Sequence, residues 1–217
     1  MLYTVTMKKI LFVLCCIFCL NASADCSNRT DYKIEVKTKP VKYITTLTRQ
    51  EFLRRAKQEV NPNTLGLTTV SFKISAEGEP YSKSNGMASM CVGLSKFILT
   101  IGYDDLTIYI DKKYKRSSCE YRVVKEHEEY HASVAKEALA FFKPDIEKRL
   151  KKIVSNLKPE VVYSQQQGND VIVRQTESVL QQMQPLINHI NKKIAEKNYQ
   201  IDTPESYRKT TALCKNW

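Results

Sequence analysis

His127-Glu128-Glu129-Tyr130-His131 is the stretch on which the reading of this chain turns. Read as a helix, it puts His127 and His131 on one face about 6 Å apart along the axis, near enough for two imidazoles to share one metal ion. Glu128, next to the first histidine, is then placed to reach a metal-activated water. The chain has three histidines, His127, His131 and His189, and two of them fall within these five residues. The competing reading is a charged, solvated helix face, because Lys125, Glu126, Glu128 and Glu129 surround the pair.

The flanking pattern is helical. Val124, His127, His131, Val134, Ala135 and Ala138 share a face. Phe142, Ile146, Leu150, Ile153 and Leu157 continue it past Pro144, where a kink or restart is expected, and Pro159 ends it. Gln165-Gln166-Gln167-Gly168-Asn169-Asp170 reads as a loop, with Asn169 or Asp170 capping a second helix. That helix carries the stripe Ile172, Thr176, Val179, Met183, Leu186, Ile190 and Ile194, interrupted at Pro185.

Upstream, the pattern is strand-like. Tyr32 to Lys37 alternates, Val41 to Leu47 is β-branched, and Leu65 to Ser75 sets Val70, Phe72 and Ile74 on one face. Met90 to Ile101 and Leu106 to Ile110 read as an antiparallel hairpin turning at Gly102-Tyr103-Asp104-Asp105. Glu77-Gly78-Glu79-Pro80 and Ser84-Asn85-Gly86 read as turns. Thr48-Arg49-Gln50-Glu51 is a capping box that opens a helix running to about Glu59, with Asn61-Pro62-Asn63 as its stop. The fold class is therefore α+β, in one domain spanning 25–217. A small, mostly antiparallel sheet with one helix occupies 25–118, and a long helical hairpin carrying the motif occupies 119–217.

Lys8 and Lys9, the apolar run from Ile10 to Leu20 and the small-residue site Asn21-Ala22-Ser23-Ala24 make residues 1–24 a secretory signal peptide. Its apolar run is short for a membrane span. Export to the periplasm or the exterior follows. Of seven cysteines, Cys26, Cys91, Cys119 and Cys214 remain beyond that segment, an even number that fits two disulfides. The formal charge is +11, or +9 without Lys8 and Lys9. The lysines are scattered, without aromatic interleaving or a nucleic-acid motif. This argues against a nucleic-acid partner and leaves weak contact with an anionic envelope surface.

A catalytic zinc takes three protein ligands. In an antiparallel hairpin of equal rise, position 129 faces about position 197. His189 then falls about 12 Å short, whereas Glu196, Asp202 and Glu205 lie at the right level. Asp202 is the first choice, because its short carboxylate follows the helix where the chain can bend back. The same residues also read as a cap, Asp202 or Thr203 opening a short helix at Pro204. His189, Glu196 and Glu205 stay open as third ligands. The same register places Cys119 opposite about position 207, near Cys214. It predicts a Cys119–Cys214 bridge and, by exclusion, Cys26–Cys91.

A sheet, then the H-E-x-x-H helix, then a second long helix resembles the zincin superfamily of metallopeptidases, above all small exported bacterial zincin-like proteins. The match covers residues 119–137 and returns at Asp202 to Tyr207. The metzincin glycine and third histidine are replaced by Val134 and Glu137. The aspartate-ligated branch pairs an Asp with a following Tyr at a different spacing from Asp202 and Tyr207. The resemblance implies Zn2+ held by His127, His131 and Asp202, with Glu128 as general base and Tyr207 stabilising the oxyanion. It also implies a peptide or protein substrate pairing beside the strand Leu106 to Ile110. The expected activity is zinc-dependent hydrolysis of peptide bonds. The alternative is a non-catalytic binding or structural module of the envelope on a zincin-like scaffold.

Overall fold

A computed structural model describes residues 26–57, 64–85, 88–215 and 217. The elements run β1 (Asp31–Thr38), β2 (Lys42–Ile44), α1 (Arg49–Arg55), β3 (Gly66–Ser84), β4 (Met90–Ile110), α2 (Cys119–Val154), β5 (Glu160–Val162), α3 (Gln165–Ile201) and α4 (Pro204–Ala212). The fold class is α+β. The signal peptide read over 1–24, the stop at Asn61-Pro62-Asn63 and Gly86 of the second turn lie outside the described residues.

β4 is the axis of the sheet. β3 pairs with it antiparallel along one edge. β1 and β2 pair parallel, and β5 antiparallel, along the other. The sheet is mostly antiparallel by extent of pairing, with β1 and β2 as its parallel part, and its fifth strand comes from between the two long helices.

The expected hairpin at Gly102-Tyr103-Asp104-Asp105 is instead a bulge inside one continuous strand. Ser71 pairs with Asp105 and Phe72 with Tyr103, so Asp104 is the extra residue. Its effect is on parity. Before the bulge, Phe97, Leu99, Ile101 and Tyr103 enter the main core with α2 and α3. After it, Leu106, Ile108 and Ile110 pack with Val124 and Ala132 of α2. One inserted residue converts an odd-numbered buried face into an even-numbered one, so both halves of β4 lie under the same helix. Tyr109 then faces the other way and stacks on Phe52 of α1 at 5.8 Å. The Tyr103 hydroxyl donates to the Ala135 carbonyl of α2, which pins the bulge to the helix.

Glu77-Gly78-Glu79-Pro80 likewise stays within β3, with a register shift at Glu79/Pro80 in place of a turn. α1 has the capping box read at Thr48 and Glu51, and Phe52 and Leu53 are buried. It ends at Arg55, short of the expected Glu59. β2 is likewise shorter than the run from Val41 to Leu47.

α2 runs unbroken through Pro144 and α3 through Pro185. Residues 140 and 181, whose carbonyls lose a partner to these prolines, are exposed, so water can serve them. α3 starts at Gln165, and the predicted loop there is its first turns. Ser164 accepts from Gln167 N at 3.2 Å, and Gln167 Oε1 accepts from Tyr163 N at 2.8 Å. Gly168 is buried with Val92 and Val162 close by, so packing overrides its character as a helix breaker.

Both predicted disulfides are present. Cys26–Cys91 has Cα atoms 5.5 Å apart and Cys119–Cys214 5.8 Å. They fit an oxidising, extracellular setting. Among the described residues, no helix is long and apolar enough to cross a membrane.

β1 presses close on β4 at Gly102, since a Cβ there would lie 1.6 Å from the Lys37 carbonyl oxygen. Gly102→Ala is expected to cost about 3 kcal/mol, the upper range for overpacking. Urea unfolding monitored by circular dichroism measures it.

Candidate metal centre

The motif helix begins at Ser118, whose hydroxyl accepts from Tyr121 N at 3.1 Å. Burying Val124 and Ala132 against β4 sets its rotation. That rotation buries Glu128 and His131 and leaves His127 at the edge. α3 returns antiparallel, so that Asn198 meets His131 and Asp202 meets both histidines. The observed register differs from equal-rise pairing by about three residues.

At the end of α3 the two readings of Asp202-Thr203-Pro204 are divided between neighbours. Thr203 caps α4, accepting from Ser206 N at 3.1 Å, with Pro204 in the first turn. Asp202 is the C-cap residue of α3, its N–H donating to the Asn198 carbonyl at 3.2 Å. Its side chain is left to turn toward the motif. Asp202 Oδ1 lies 3.1 Å from His127 Nε2 and 3.0 Å from His131 Nε2, and the two Nε2 atoms are 3.3 Å apart.

Four ligands at zinc's usual bond lengths of about 2.0–2.1 Å stand about 3.3 Å from one another at the corners of a tetrahedron. These three atoms have nearly the spacing of one such face. His127, His131 and Asp202 therefore form a group that could hold a metal ion.

The other candidates are engaged elsewhere. His189 packs edge-on against Phe142, with ring centroids 6.0 Å apart. Glu196 pairs with Lys193, Glu205 with Lys209, and Glu137 with Lys197. Tyr207 does reach the centre. Its hydroxyl donates to Asp202 Oδ1 at 2.9 Å, and its ring lies 5.6 Å from that of His127.

Three contributors are absent from the sequence reading. Asn198 Oδ1 sits 3.1 Å from His131 Nδ1. With Nδ1–H donating to Asn198, Nε2 is the nitrogen left to bind a metal in the neutral ring, or to donate to Asp202 in the protonated one. Thr68 Oγ1 lies 2.8 Å from Glu128 Oε2 and 2.9 Å from the Glu128 carbonyl, so one hydroxyl holds both ends of that residue. Gly66 supplies room, since a Cβ there would be 2.8 Å from Glu128 Oε1 and Cγ. For Asn198, the helical register alone carried a signal, because it lies level with the motif.

These contacts also correct the expected cleft edge. Leu106 to Ile110 is central, paired with β3 on one side and, from Thr107 to Tyr109, with β2 on the other. The start of β3 borders the centre instead. Gly66, Leu67 and Thr68 join Leu53, Glu128 and Tyr207 around a cavity of about 250 Å³.

Burial pushes the Glu128 carboxyl up to about 7, against the opposing pull of His131, His127 and the Thr68 hydroxyl. Burial alone would lower His131, but Asp202, Glu128 and Asn198 reverse it and raise its affinity for a proton. Burial would likewise raise Asp202, yet hydrogen bonds from His127, His131 and Tyr207 hold it well below the usual carboxylate range. Burial and then the Asp202 charge push the Tyr207 phenol up, so it stays a donor at neutral pH.

Comparison with protein-family models, curated proteins and solved structures returns no match for this chain.

Two measurements follow from this geometry. The folded Glu128 binds its proton more tightly than the unfolded carboxyl at 4.5. Its stabilising effect is therefore full below pH 4.5 and is lost as pH rises through 7, a change on the order of 3 kcal/mol. In chelator, urea unfolding from pH 4.5 to 7.5 should show this loss, and Glu128→Gln should lack it. Asn198→Leu should weaken zinc binding roughly 10–100-fold in competition with a chromophoric chelator, the usual effect of removing a hydrogen-bond partner of a ligating histidine.

Proposed function

We propose that the protein is a zinc-dependent metallopeptidase on a zincin-like scaffold, acting outside the cytoplasm. The observation that supports this reading best is the convergence of His127 Nε2, His131 Nε2 and Asp202 Oδ1 beside a buried carboxyl on the same helix. The two disulfides fit the setting outside the cytoplasm that this reading assumes.

In this reading His127, His131 and Asp202 hold the ion. Zinc supplies Lewis acidity, which polarises the scissile carbonyl and acidifies water. Glu128, with a proton affinity near neutrality, accepts a proton from the attacking water and delivers it to the departing amine. Thr68 holds that carboxylate against β3, and Gly66 leaves it space. Tyr207 orients Asp202 and, by turning its hydroxyl, donates to the developing oxyanion. A peptide pairs along the start of β3 at Gly66, Leu67 and Thr68, where β4 is the one strand pairing with it among the described residues.

The test combines metal content with turnover. Purified wild-type protein should carry one zinc by mass spectrometry and degrade an unfolded casein substrate. Glu128→Gln should keep the zinc and lose roughly a thousandfold in rate. Absence of stoichiometric zinc defeats the proposal. Zinc without turnover favours the non-catalytic envelope module.

A further inference from the structure

Beside His127, on the side away from the cavity that holds Glu128, lies a groove that the chemistry above does not use. Outside His127 lies a hollow of about 380 Å³ bordered by Tyr130, Lys197 and Gln200. Lys197 and Gln200 also border a groove of about 530 Å³ between α2 and α3, so the two spaces adjoin. Val134, Ala138, Phe141, Phe142 and Ile194 give that groove an apolar lining. Phe141 is 74 % exposed and Tyr130 52 %, a large aromatic surface to leave in water. The rim is charged but internally paired. Lys197 lies 3.7 Å from Glu137, and Lys193 lies 2.8 Å from Glu196. The groove thus offers apolar surface with little net charge to draw a charged ligand.

Resting on the peptidase reading, we propose that this groove is a remote specificity subsite for bulky apolar side chains of the peptide being cut. Its continuity with the space outside His127 selects that occupant. Its position sets the spacing. Val134 and Phe141 stand seven and fourteen residues beyond His127, about 10 and 21 Å along the helix. An extended peptide rises about 3.3 Å per residue, so the apolar residues lie about three to six positions from the scissile bond. Substrates are therefore unfolded or extended segments with an aliphatic or aromatic cluster displaced from the cut.

The test uses fluorescein-labelled six-residue peptides that end in a zinc-chelating hydroxamate, made in both chain directions. One series carries Phe and Leu three to six positions from the hydroxamate, and the other carries Ser. Fluorescence anisotropy on the zinc-loaded protein should show the apolar series binding roughly tenfold tighter or more, as burial of one such side chain allows. Ala138→Glu should abolish the difference while zinc content and affinity for the serine series stay unchanged. Phe141→Ser, at an exposed position, serves if the first variant does not fold, and should reduce the preference severalfold.

Equal binding of both series overturns the subsite and leaves the zinc centre standing. Zinc present with neither series bound overturns the subsite and the open catalytic site together, and absence of zinc overturns both at their root. A wild-type dimer in sedimentation that Phe141→Ser converts to monomer overturns the subsite in favour of a second copy of the chain.

Discussion

The bulge at Asp104 is the constraint on which the rest of the arrangement depends. A strand of 21 residues shows alternate faces, and a helix of 36 residues laid across it needs one apolar face beneath its whole contact. The extra residue reconciles the two by changing which parity points at the helix. Were Asp104 held in regular register instead of bulged, Thr107 and Tyr109 would face α2 where Leu106, Ile108 and Ile110 now do. The motif turn would lose the floor that fixes its rotation. The direction of His127 and the burial of Glu128 are thus set by a residue more than twenty positions upstream.

The far wall of the centre is built on different physics. α4 has no fully buried side chain, so apolar burial contributes little to holding it in place. What holds it is the bridge to Cys119, the Tyr207–Asp202 hydrogen bond and the edge-on contact of Trp217 with Tyr114. A well-packed sheet side faces a polar, covalently tethered side. The groups expected to do chemistry lie along the seam between them, as is common where a site combines rigidity with access.

How far the sequence disclosed this depended on whether the information was local. The motif helix, its stop and the capping box of α1 are written in near neighbours. Asp202 was within reach because a helix converts residue number into distance, and the sequence register missed by only about three residues. The cysteine pairing followed from the same conversion. Gly102-Tyr103-Asp104-Asp105 misled because its composition is that of a turn. Only the parity of apolar residues on both sides, judged against α2, identifies it as a bulge. Gly168 misled in the same way, since its tolerance inside α3 comes from contact with Val92 and Val162. Asn198, Thr68 and Gly66 have no signature of their own. Each matters only through a partner at least sixty residues away.

The Cys119–Cys214 bridge closes a ring of chain that contains His127, Glu128, His131, Asp202 and Tyr207. A single backbone cut anywhere in that ring opens the loop without separating its two sides. The histidines and the aspartate would remain on one covalent molecule, joined through the sulfurs. That topology confers tolerance to a single nick in the backbone between the two cysteines.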